Sequence, residues 1–281
     1  MNHMFFPRRF LARSAALMLI TGAAFAAQST DAESAKIRHH HVSRLMDKLA
    51  SQPEDLEREC RYESEISTAP PVNRVALTFD DGPQPGETEH VLDVLAQHGI
   101  SATFFMIGEK AARYPDLVAR VRAAGHQVVA NHSWSHPNFH ELNSAQQIDE
   151  IVRGDTLLEA GEGPKLFRYP YGNATCAGNA LVRQRGYKIV GWHIDSCDWA
   201  YEKSGAVDAR EALSCGVLPQ YRKDYVGHIV AAARARKGGI ILMHEIHSRT
   251  VHQLENVIDQ LLAAGFVFST ISSPDFESSL R

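Results

Sequence analysis

Seven short apolar runs punctuate the chain: Arg74–Asp80, Ala102–Ile107, Gln127–Asn131, Leu166–Tyr169, Lys188–His193, Gly239–Met243 and Phe266–Thr270. Each is brief and rich in β-branched or aromatic residues, the pattern of a buried strand. Most are separated by segments of helical periodicity that stop at Gly99, Gly125, Gly186 and Gly265, where a residue without Cβ accepts the left-handed backbone of a helix end. Ser144 and Gln147 have the spacing of a capping box at the start of a further helix. Strands alternating with helices predict a parallel β/α architecture, either an incomplete barrel or an open sheet.

Upstream of Val72 the pattern is different. Residues 27 to 70 are polar and charged, with a three-histidine run at His39, His40 and His41, a short amphipathic helix expected over Val42–Ala50, and a break at Pro70 and Pro71. The histidine run reads as part of a solvated extension. Still further upstream, Arg8, Arg9 and Arg13 lead into a small-residue apolar stretch, Ser14–Phe25, and Ala24, Phe25 and Ala26 have the small-x-small form of a cleavage site. That stretch is shorter than the roughly 20 residues of a membrane span. The expected organisation is a signal peptide over 1–26, a polar extension over 27–71 and a β/α domain over 72–281. The protein is then exported, to the periplasm or beyond, with no membrane span after cleavage.

Composition narrows the classes. The 281 residues are 44% hydrophobic and 22% charged, enough for a sizeable core. Cleavage removes three positive charges and no negative one, moving the formal net charge from -4 to -7, which argues against bulk nucleic acid as a partner. Export also places Cys60, Cys176, Cys197 and Cys215 in an oxidising compartment. A bond from Cys197 to Cys215 across an 18-residue connection is favoured, leaving Cys60 and Cys176 to pair or stay free. The rival pairing joins Cys176 to Cys197.

The remaining chemistry gathers at strand ends. Asp80 and Asp81 close the first run, His132 follows the third, Arg168 lies in the fourth, Asp195 and Asp198 follow the fifth, and His244 follows the sixth. In a barrel, those C-terminal ends form the face where active sites are built. His132 and His136, four apart, make with one carboxylate a three-ligand metal site that leaves a position open. Adjacent residues at a strand end point in different directions, so one of Asp80 and Asp81 can bind metal while the other faces the reacting water. His193, His247 and His252 read as packing or surface residues.

Five ordered motifs, TFDDGP (78–83), HSWSH (132–136), RYPY (168–171), DSCDW (195–199) and LMH (242–244), resemble those of the polysaccharide deacetylases, carbohydrate esterase family 4, over roughly residues 72 to 272. The resemblance implies a deformed (β/α) barrel of about seven parallel strands, the NodB homology domain. It implies hydrolysis of acetyl groups on an N-acetylated oligo- or polysaccharide, such as a chitooligosaccharide or peptidoglycan, with acetylated xylan as the alternative substrate. It also implies a divalent metal, most often Zn2+ with Co2+ or Ni2+ as substitutes, on Asp81, His132 and His136. By the same resemblance Asp80 is the base, Arg168 its partner, His244 the acid and Asp198 the residue that orients it. Tyr171 would offer its backbone N–H to the oxyanion, and Trp192 and Leu242 would wall the acetyl methyl. A catalytically silent glycan-binding protein is the contrasting class, although every residue assigned a chemical role is present.

Overall fold

A computed structural model describes residues 60–157 and 164–281. The expected signal segment, the histidine run at 39–41 and the helix over 42–50 lie outside the described residues. Among the described residues eight strands make up one parallel sheet: β1 Arg74–Asp80, β2 Thr103–Met106, β3 Gln127–Asn131, β4 Lys165–Phe167, β5 Tyr187–Ile189, β6 Ile194–Asp195, β7 Gly238–His244 and β8 Val267–Phe268. Their order is β5-β4-β3-β2-β1-β7-β6. β8 pairs with the first residues of β1, Arg74 and Val75, on the edge that β2 uses higher up. The helices, numbered here among the described residues, are α1 Glu87–His98, α2 Gly108–Arg113, α3 Pro115–Ala123, α4 Ser144–Leu157, α5 Cys176–Gln184, α6 Asp198–Ser204, α7 Ala209–Cys215, α8 Tyr225–Arg236, α9 Ser248–Val251 and α10 Leu254–Ala263.

The strand expected over Lys188–His193 stops at Ile189 and resumes beyond that range at Ile194, for a reason that also closes the barrel. Its first part, β5, pairs with β4, and its continuation, β6, pairs with β7, so one run of chain joins the two edges of the sheet. The residues between have a different neighbour, the segment 60–66, which the sequence reading left in the polar extension. There the Trp192 N–H donates to the Ser64 carbonyl (2.8 Å) and the Ile66 N–H donates to the Trp192 carbonyl (2.8 Å). Gly191 permits this approach, since a Cβ on it would lie 2.1 Å from the Ser64 carbonyl oxygen. The two-residue period sorts the strand side chains: Val75, Leu77 and Phe79 pack outward with Ile241 and Met243 among the helices. Ala76 packs inward with Phe105, Leu166, Val190 and Ile240. Thr78 and Asp80 therefore stand above Ala76 on the inner face, and the β1–β7 register places Leu242 beside Thr78 and His244 beside Asp80.

The helix ends follow the sequence closely, with one slip. Gly99, Gly125, Gly186 and Gly265 all have left-handed φ just past helix ends. The capping box, however, is set one residue earlier than expected. The Gln146 N–H donates to Asn143 Oδ1 (3.0 Å) and the Asn143 N–H to Gln146 Oε1 (2.9 Å), while Gln147 turns inward and donates to the Leu142 carbonyl (3.1 Å). Two disulfides brace the loops: Cys197 with Cys215, the favoured pairing, and Cys60 with Cys176, which excludes the rival one. No helix among the described residues is long and apolar enough to cross a membrane.

Candidate active site

Arg168 is the post on which the barrel mouth is assembled. Its guanidinium is fully buried over the Phe105 ring, 4.0 Å from the ring centroid, and its donors are engaged on all sides. Nη1 donates to Asp80 Oδ1 (2.6 Å) and to Thr78 Oγ1 (2.9 Å), Nε to the Val190 carbonyl (3.2 Å) and Nη2 to the Gly191 carbonyl (3.1 Å). A buried charge is tolerated only when paired and hydrogen-bonded in this way. The bonds fix Asp80 at the centre of the mouth with Oδ2 directed elsewhere, 3.6 Å from His132 Nε2.

Asp81 leaves the strand with a left-handed φ of 72°, so its side chain diverges from that of Asp80. Its Oδ1 lies 3.4 Å from His132 Nε2 and 3.2 Å from His136 Nε2, and it is buried without a hydrogen-bond partner. His132 Nδ1–H donates to the Arg168 carbonyl (2.7 Å), which turns Nε2 toward Asp81. Such a carbonyl partner on the far nitrogen is the usual orienting contact of a metal-binding imidazole. Burial, with the neighbouring His132, pushes the His136 pKa down to about 4, against the opposing pull of Asp81, so this ring is neutral near pH 7. Burial by itself would raise the Asp81 pKa, but the His132 ring and the charge on His244 outweigh it and hold the carboxyl well below its usual range. One carboxylate oxygen without a hydrogen-bond partner and two inward ring nitrogens, their ligand atoms within 4.8 Å of one another, fit a cation.

The other end of the site uses the same residue types differently. Asp198 is buried at the start of α6. Its Oδ1 accepts from His244 Nδ1–H (2.7 Å) and from the Trp199 N–H (2.8 Å), and its Oδ2 accepts from the His244 backbone N–H (2.5 Å). Burial opposes charge on His244, yet Asp198, with Asp81 and Asp80 behind it, pushes its pKa up to about 10. His244 is thus an imidazolium near pH 7. Burial disfavours the Asp198 carboxylate too, and the same His244 contacts lower its pKa nonetheless. The Cys197–Cys215 disulfide tethers the residue just before Asp198 to the end of α7.

Tyr171 has a left-handed φ of 60° and an exposed ring set edge-on to His136 at 4.7 Å between centroids. Trp192 and Leu242 are buried; Trp192 lies beneath the Tyr171 turn, where a Cβ on Gly172 would come within 3.1 Å of it. Of the seven non-glycine residues with left-handed φ among the described residues, Asp81, Ser133, His136, Tyr171 and Cys197 surround this mouth. Such backbone is costly and tends to be kept at functional sites.

The residues singled out from the sequence meet on one face, and others join them there. His247, read as packing or surface, stands with its ring 5.4 Å from that of His244 and joins Asp198 and His244 in a second cluster of donors within 4.8 Å of one another. Its spacing of three from His244 was the available signal. Lys110 Nζ donates to the Asp81 carbonyl (2.8 Å), and Ser133 Oγ accepts from the His136 N–H (3.0 Å); nothing in the residue pattern marks either. His193, read the same way, is buried, and its Nδ1 accepts from the Ile240 N–H (3.1 Å).

Fold and mouth together define a deformed (β/α) barrel of the NodB type. The polysaccharide deacetylase family model matches residues 67–190. The chain is 34% identical to a peptidoglycan-N-acetylglucosamine deacetylase of Bacillus cereus over 211 residues, 72% of this chain and 69% of that one. It is 32% identical to the peptidoglycan-N-acetylglucosamine deacetylase PgdA of Listeria monocytogenes over 209 residues, 74% of this chain but only 40% of that one's length. Among solved structures, a family 4 carbohydrate esterase from Streptomyces lividans in complex with acetate superposes with a TM-score of 0.58 at 32% identity, covering 74% of this chain and 96% of that one. The chain belongs to the polysaccharide deacetylase family, carbohydrate esterase family 4.

Proposed function

We propose that this protein is an exported, metal-dependent N-deacetylase that hydrolyses the acetamide of N-acetylglucosamine units, with peptidoglycan strands as the first substrate to test. The observation that carries the reading is the placement of a carboxylate, Asp80, and an imidazolium, His244, side by side on adjacent strands, next to a cation cradle. Amide hydrolysis needs that pairing, because water must lose a proton as it attacks and the departing nitrogen must gain one. The names of the Bacillus and Listeria relatives support the sugar class. Residues 1–26 act as the signal, and 72–281, closed at its seam by residues 60–66, form the catalytic unit.

Asp81, His132 and His136 would hold the ion, zinc by the chemistry of one carboxylate and two imidazoles. Bound there, it supplies a Lewis acid for the acetamide carbonyl and lowers the pKa of water. Asp80 takes the proton from water through Oδ2, since Oδ1 is engaged by Arg168. His244, held at Nδ1 by Asp198, gives its Nε2 proton to the sugar nitrogen as the carbon–nitrogen bond breaks, releasing acetate and a free amine. The Tyr171 N–H stabilises the oxyanion, and Trp192 and Leu242 shape the apolar wall for the methyl.

The test is acetate release from peptidoglycan, chitooligosaccharides and acetylated xylan, before chelation, after it, and after addition of zinc or cobalt. The reading expects release from N-acetylated glycans, lost in chelator and restored by metal. Full activity in metal-free protein, or release from xylan alone, would contradict it.

A further inference from the structure

The cluster of Asp198, His244 and His247 lies outside the cradle just assigned and has the same composition as it, one carboxylate and two imidazoles with donor atoms within 4.8 Å of one another. We infer that the acid end of the site is a second, inhibitory metal site, in which Asp198, His244 and His247 bind a zinc-type divalent ion in place of the hydrogen that His244 Nδ1 shares with Asp198. The inhibitory part rests on the proposed function; the binding part does not.

Asp198 Oδ1 and His244 Nδ1 are 2.7 Å apart with one hydrogen between them. Donors on a four-coordinate zinc with bonds near 2.0 Å stand roughly 3.3 Å apart, so an opening of about half an ångström admits an ion where the hydrogen was. Asp198 keeps its place through this change, because Oδ2 still accepts from the His244 backbone N–H. The third donor is anchored too. The His247 carbonyl accepts from the Thr250 N–H (3.1 Å), the Val251 N–H (2.8 Å) and Thr250 Oγ1 (3.0 Å), so the start of α9 fixes its backbone beside the dyad.

The donor set selects the class of ion. Two imidazoles and one carboxylate favour zinc and copper over magnesium and calcium, which prefer oxygen ligands. Once Nδ1 is coordinated, its proton has gone to solvent and the ring is no longer an imidazolium. The leaving amine then has no strong acid beside it, while the first metal stays in its cradle.

The experiment counts metal and rate separately, using zinc chloride on the whole protein loaded with one equivalent of zinc. Equilibrium dialysis against excess zinc should give two ions per chain for the wild type and one for His247→Ala and His247→Gln, two variants of different bulk so that misfolding of one does not decide the matter. Cobalt in place of zinc should show a second visible absorption component in the wild type that both variants lack. Acetate release should fall tenfold or more as the second zinc binds to the wild type, and each variant should retain at least half of its own one-equivalent rate at the same zinc concentration. One ion per chain in the wild type, two in the variants, or equal inhibition in all three would overturn the inference. No acetate release at one equivalent, with two ions still counted in the wild type, would instead remove the functional reading and the inhibition while leaving the site.

Discussion

The two ends of this active site are made from the same parts and are prepared for opposite tasks. Around Asp81 the carboxylate oxygen has no donor, and the His132 N–H is directed away to a carbonyl. Around Asp198 the carboxylate is engaged directly by the ring N–H of His244. The first arrangement gathers two ring nitrogens around one carboxylate oxygen, with the His136 pKa pushed down to about 4; the second builds a proton holder, with the His244 pKa pushed up to about 10. What distinguishes the two ends is therefore the partner of each nitrogen, a choice made by strand register and loop backbone.

The largest expected effects come from breaking each end in turn. Asp80→Asn and His244→Ala should each lower turnover on the order of a hundredfold or more with the ion in the cradle still bound. His132→Ala should lower turnover as far and lose that ion. Metal analysis beside acetate release checks the contrast; retention of the cradle's ion by His132→Ala would erase it.

A smaller effect should follow from Asp198→Asn. The amide keeps the shape of the site but removes the charge that raises His244, so turnover near neutral pH should fall roughly tenfold or more and the alkaline limb of the rate profile should move toward lower pH. An unchanged alkaline limb would show that Asp198 only packs.

The smallest effect is on stability, and it has opposite signs at the two ends. His136 has a lowered pKa in the fold, so the unfolded chain binds more protons between about pH 4 and 6.5, and its stabilising contribution is lost as pH falls through that window. His244 has a raised pKa, so its contribution is complete below about 6.5 and lost as pH rises toward 10. Denaturant melts of metal-free protein should show His136→Ala flattening the acid limb and His244→Ala the alkaline limb, each by on the order of 2 kcal/mol.

The same contrast marks what the sequence could reveal. Asp80, Asp81, His132 and His244 were legible because strand ends in a parallel β/α fold share one face, whatever their distance in sequence. The break in Lys188–His193 was not, because it depends on Ser64, a residue in a segment without strand periodicity that meets Gly191 only in three dimensions. The capping box slipped by one because Asn143 and Ser144 are both good caps with a glutamine three residues on, and burial of Gln147 decides between them. His247 was passed over because its nearness to His244 depends on a turn. The Cys60–Cys176 bond was left open because its two ends are 116 residues apart.

The central claim is that one end of the site is prepared for a proton and the other for a metal, and the most direct measurement is the protonation of individual imidazoles in metal-free protein, followed by nitrogen-15 NMR from pH 4 to 10. The account predicts that His244 carries a proton on both nitrogens at pH 7.5 and gives one up only near pH 10, while His136 is already neutral at pH 6. A His244 that titrates near 6.5, or a His136 that is charged at pH 7.5, would contradict it.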